Sequence, residues 1–189
     1  MRDRLDHFPL RQVVGIDCAQ ERVAGRRGTL DWLSRSGRYQ VAGHGAGAMI
    51  LAAGEFALAE AQVVLRQACG DALRFGSVAV HTYADDEGRV MAPVMFLRID
   101  TPRAHGRGLL RLLNDRSIAP REVEVQRART LIRAEAPLAR LLGVERAIGE
   151  FTDGSAHTMC WLLRYDAAAP EPQDTQLKEL AALTSPLPL

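Results

Sequence analysis

Reading along the chain, one order of segments occurs twice, and that order leaves few folds open. Gln12–Ala19 carries Val13, Val14 and Ile16 and reads as a strand. Glu21–Ser36 places Val23, Leu30 and Leu33 at helical spacing, with Gly25 and Gly28 inside it and Gly37 to end it. Tyr39–Ala42 and Ala48–Ala52 read as strands around the turn Gly43-His44-Gly45-Ala46-Gly47. Glu55–Cys69 holds good helix formers with no Gly or Pro, and Gly70 closes it. Ser77–Tyr83 alternates as a strand through Val78 and Val80. After the polar break Asp85-Asp86-Glu87-Gly88 the order restarts. It runs through a strand at Val94–Ile99, a helix from Pro102 to Asp115, strands at Glu122–Gln126 and Thr130–Ala136, and a helix at Leu138–Phe151. Thr152-Asp153-Gly154 then turns the chain into a last strand, Ala156–Tyr165.

Strand–helix–strand–strand–helix–strand is the split βαβ, or ferredoxin-like, order. The expectation is therefore an α+β protein of two consecutive ferredoxin-like domains, 12–84 and 91–167. Each would be an antiparallel sheet with two helices on one face. At about 75 residues, each lies near the lower limit for a self-sufficient core, so packing one on the other would stabilise both. Residues 84–91 would join them, packed or as a flexible connection. Residues 168–189 read as a linker with Pro170 and Pro172, followed by a short helix from Asp174 to Leu183.

Composition narrows the function classes. Lys plus Arg total 24 and Asp plus Glu 23, a net charge of +1, so bulk charge makes no case for a polyanion or membrane-surface binder. Lys178 is the only lysine, and the remaining positive charge is arginine. No apolar run approaches the roughly 18 residues that span a bilayer, and Met1–Gln12 lacks the apolar core of a signal peptide. Cys18, Cys69 and Cys160 are odd in number, far apart and without C-x-x-C spacing. That argues against a disulfide framework or zinc ribbon and for a reducing, cytoplasmic setting.

The motifs of catalysis are missing. A P-loop needs G-x-x-x-x-G-K-[ST], which the chain lacks, and the glycines at 43, 45 and 47 precede a strand rather than a helix. His7, His44, His81, His105 and His157 show no i, i+4 pair. Asp85-Asp86-Glu87 reads as a solvated turn, and Cys18 as a small buried hydrophobe. No enzyme and no cofactor is expected. An RNA-binding sheet would stack bases on aromatics of its middle strands. Those strands, read as Ala48–Ala52 and Thr130–Ala136, carry none. Phosphate contact is better supplied. Arg103, Arg107 and Arg111 recur at i, i+4 and i+8, Arg116 lies just beyond, and Arg127, Arg129 and Arg133 cluster in the next hairpin.

The second half carries Pro93-Val94-Met95, Thr101-Pro102, Gly106, Leu113-Asn114-x-Arg116, Ile132-Arg133-Ala134, Ala136-Pro137-Leu138-Ala139, Leu142-Gly143, Thr152-Asp153-Gly154, Met159 and Tyr165. In order and spacing these resemble the fifth domain of the elongation factor G family of translational GTPases. The run Ile50-Leu51-Ala52-Ala53-Gly54-Glu55-Phe56-Ala57-Leu58-Ala59-Glu60, with Leu30–Val41 before it and Leu65-Arg66 after, resembles the third domain of the same family. The tail resembles the helical extension that follows the fifth domain. Nothing corresponds to the family's GTPase, second or fourth domains. Where the family follows Leu-Asn with Arg-Gly, this chain has Arg116-Ser117. The resemblance implies a non-enzymatic module that binds the ribosome, both rRNA and ribosomal proteins, near the factor-binding site. Arg107, Arg111, Arg116 and Arg146 are its candidate phosphate contacts. The alternatives are a small-molecule or regulatory module with a ligand between the two domains, and an interaction subunit for a separate translational GTPase.

Overall fold

The computed structural model describes residues 7–16, 33–45, 47–70 and 73–168. Cys18 and the tail helix expected from Asp174 lie outside the described residues. Of the helix expected over 21–36, only residues 33–36 are described, and they form a turn that leads into the bridge between Arg35 and Tyr39.

The first sheet contains β1 (Leu10–Ile16), β2 (Tyr39–His44), β3 (Gly47–Ala52) and β4 (Leu73–Val80). Its order is β2-β3-β1-β4 and every pairing is antiparallel. β1 begins two residues earlier than the apolar run suggests, because fully buried Leu10 pairs with both Ala52 and Val80. β2 and β3 form a hairpin closed at His44 and Gly47, with Gly45 at φ 57°. Helix α1 (Glu55–Cys69) buries Ala57, Leu58, Ala61 and Leu65, a helical stripe, against Tyr39, Val41, Ile50 and their neighbours.

β4 departs from the expected Ser77–Tyr83. It starts at Leu73, because β1 continues to offer it partners as far as Ile16. It stops at His81, whose N–H donates to the Pro9 carbonyl and whose buried ring lies 3.1 Å from the Arg11 guanidinium and beside Tyr83 and Tyr165. Tyr83–Ala84 form β5, which leaves the first sheet and pairs with Met91 and Val90 of the second. The connection is thus a hairpin and not a loose tether. Asp85 organises it, accepting from the Glu87 and Arg89 N–H groups and the Arg89 guanidinium. The Arg89 N–H, foremost among these donors, holds the Asp85 carboxyl below its usual range.

The second sheet is built on β6 (Val90–Pro102), with β7 (Pro120–Val125), β8 (Arg129–Pro137) and β9 (His157–Ala167). Its order is β5-β6-β8-β7, with β9 also on β6 and all pairs antiparallel. Counting β6 to β9 as one to four gives two-three-one-four, the order of the first sheet. Three helices follow the strands: α2 (Gly106–Asp115), α3 (Leu138–Leu141) and α4 (Val144–Phe151). They cover one face, burying Leu109, Leu113, Leu138, Leu141 and Ile148 with Met95, Leu97, Ile99 and Ile132.

Two helices differ from expectation. The segment after Pro102 first makes a 3-10 turn, Arg103–His105, and becomes α-helical at Gly106. There a Cβ would come 2.9 Å from the Thr130 hydroxyl, so only glycine permits the approach. The helix expected over Leu138–Phe151 is cut at Leu142-Gly143, where Gly143 takes φ 73°. The buried apolar side chains of both sheets form one contiguous cluster, so the α+β chain packs around a shared core. No helix among the described residues is long and apolar enough to cross a membrane.

Candidate nucleic-acid interface and the adjoining groove

α2 is amphipathic. Leu109 and Leu113 are fully buried, while Arg107 and Arg111 stand on the exposed side. Arg103, in the preceding 3-10 turn, is exposed one turn earlier. None of the three side chains has an ion-pair or hydrogen-bond partner among the described residues. Successive members of such a row are about 6 Å apart along a helix axis.

The other two sequence candidates are placed differently. Arg116, just past the end of α2, donates to the Leu142 carbonyl at 2.8 Å. From the other side, Arg140 donates to the Ser117 carbonyl at 2.9 Å, so these arginines clamp the end of α2 to α3. Ser117 is in the left-handed region at φ 56°, where glycine is favoured, and the turn closes with the Ile118 N–H on the Leu113 carbonyl. Arg146 lies on α4, exposed, with Glu150 at 3.8 Å. The hairpin arginines are largely neutralised: Arg129 meets Asp100 and Arg133 meets Glu122, each at 2.5 Å.

The far face of the second sheet corrects the reading of its aromatics. β6 is also an interior strand, and it carries Phe96. The Phe96 ring lies 4.7 Å from that of Trp161, its partner on β9. The signal was present, because alternation that buries Met95, Leu97 and Ile99 must send Phe96 and Arg98 to the opposite face. There the Arg98 Nε is buried without a hydrogen-bond partner. Glu135 on the same face is shared by Arg121 and Arg164, and Arg164 also meets Asp166.

The first half meets the second at a pair of carboxyl groups that sequence reasoning missed. Both Glu55 oxygens, in the first turn of α1, accept from the Gly143 N–H at 2.9 and 3.0 Å, at the start of α4. Glu145 faces the same small apolar space as Glu55, Leu141 and Cys160. Burial first, and the Glu55 charge second, push its carboxyl up to about 7. The Cys160 thiol is pushed up to about 12 by burial and by these two carboxylates, which favours its protonated form at neutral pH. No group of three metal-ligating side chains occurs among the described residues. Outside this space an open groove of about 360 Å³ runs between the two halves, lined by Arg38, Phe56, Glu145, Met159 and Trp161 among others. The arrangement offers cations, aromatic surface and one carboxyl that titrates near neutrality; it is suited to binding.

No protein-family model matches the chain. No curated protein matches it either. The backbone matches 136 solved chains. One is the crystal structure of ttk003000868 from Thermus thermophilus, with a TM-score of 0.60 and 12% sequence identity. The match covers 91% of this chain and 42% of that one, so the chain spans less than half the length of the Thermus protein. At that identity the likeness shows the fold alone.

Proposed function

We propose that this chain is a non-enzymatic binding module of the translation apparatus that holds ribosomal RNA by its phosphates. One observation carries the reading: Arg103, Arg107 and Arg111 form an exposed row along one helical segment with no carboxylate partner among the described residues. Structural arginines are usually paired, as Arg129 and Arg133 are here, and an unpaired row suits a polyanion. Arg116 and Arg146 would flank it. In this reading the segments 12–84 and 91–167 are ferredoxin-like domains, supported by the two-three-one-four strand order of both sheets. The resemblance to the third and fifth domains of elongation factor G points to the ribosome as the source of the RNA and to the cytoplasm as the location.

Sedimentation of the protein with ribosomes and separated subunits across a salt series tests this. Binding to the large subunit should weaken steeply with salt. Arg107→Ala with Arg111→Ala should flatten the slope of log affinity against log salt by about 1.5–2. Absence of pelleting at low salt would overturn the function, and an unchanged slope in the double variant would overturn the site.

A further inference from the structure

The two open edges of the second sheet differ in chemistry. β7 reads Pro-Arg-Glu-Val-Glu-Val, and its proline and charges are the usual means of blocking strand addition. β9 has no such protection over Thr158–Leu163, which reads Thr-Met-Cys-Trp-Leu-Leu without a charge. Its inner side pairs with β6. Over Thr158–Leu163 the outer backbone N–H and C=O groups have no partner among the described residues. This edge borders the groove of about 360 Å³, whose opposite wall comes from Arg38 and from the start of α1. Three exposed apolar side chains converge there: Phe56 (64% exposed), Met159 (43%) and Trp161 (41%).

We infer that the groove is a docking site for an extended peptide of a partner protein, which adds as a strand to the free edge of β9 and alternates apolar with basic residues. Strand addition satisfies the unpaired backbone groups, and alternate side chains then fall on the two sides of the sheet. On one side they meet Phe56, Met159 and Trp161. On the other they meet Cys160 and Glu145, with Glu55 just behind. The rim cation Arg38 is already engaged by Glu60, as is Arg35. Glu55 and Glu145 in the groove have no cation partner among the described residues, and a lysine or arginine on the peptide would meet them. This site is separate from the α2 arginine row and does not depend on it.

The probe is an acetylated, amidated octapeptide alternating Val and Lys, titrated into the full chain and followed by amide exchange and tryptophan fluorescence. Saturable binding is expected, with exchange at Thr158–Leu163 slowed by about tenfold or more at saturation. Phe56→Ala, at a side chain too exposed to support the core, should weaken binding about fivefold or more. The matching Val–Glu peptide should bind at least about tenfold more weakly. Absence of saturation at millimolar peptide would overturn the inference. So would unchanged exchange along β9 at saturation, equal binding of the Val–Glu peptide, or perturbation of these amides by a uridine decamer and not by the peptide.

Discussion

Single residues show where the chain accepts strain. Ser117 occupies a left-handed position that glycine fills more cheaply, in the turn that follows α2. Ser117→Gly should raise stability by about 0.5–1 kcal/mol, the relieved strain being partly offset by the freer unfolded chain. Urea denaturation would show it as a higher midpoint. Gly47 is the opposite case, because a Cβ there would lie 2.2 Å from the Val14 carbonyl oxygen, a backbone atom that cannot turn aside. Gly47→Ala should cost about 2–3 kcal/mol in the same measurement. Glu145 makes stability depend on pH. Its folded-state carboxyl titrates near 7 against an ordinary value of 4.5, so the folded state binds the proton more tightly than the unfolded state does. Stability is then full below pH 4.5 and falls as pH rises through 7. After allowance for partial exposure, the loss is about 1–2 kcal/mol. Glu145→Gln should remove that slope, leaving the variant more stable than the parent at pH 8 and close to it at pH 4.5.

At the scale of elements, most strands and α1 were legible because their patterns are local. α1 lies at its expected Glu55–Cys69, where neither breaker nor competing pattern occurs. β6 was seen only in part, Val94–Ile99 of Val90–Pro102, because its ends gain their partners from β5, β9 and the start of β8. The break between α3 and α4 was not legible, since Leu142-Gly143 inside a helical pattern is tolerated as often as it interrupts. What selects the break here is Glu55, which meets the Gly143 N–H from a distance of 88 residues in sequence. Glu55→Ala leaves that N–H without its acceptor and should cost about 1–2 kcal/mol at pH 5. At pH 8 the cost should be smaller, because the change also relieves the charged Glu145. Denaturation of the variant at both pH values measures the difference.

At the scale of the molecule, the buried side chains of both sheets form one cluster, and the connector between them is a folded hairpin. Unfolding should therefore be a single transition. Exchange of the Leu51 and Ile132 amides, one in each sheet, should report the same opening free energy within about 0.5 kcal/mol. Two separated values would mean that the halves unfold independently. The amino-acid sequence by itself determined most of the strands, α1, the apolar faces and the spacing of Arg103, Arg107 and Arg111. Each of these depends on spacing along the chain, and spacing is set by the 3.6- and 2-residue periods of the backbone. The tertiary structure alone decided which arginines remain unpaired, that Phe96 and Trp161 meet, and that Glu55, Glu145 and Cys160 share one space. Those facts depend on distances between residues far apart in sequence, and burial and charge acquire their strength only when the chain has closed around them.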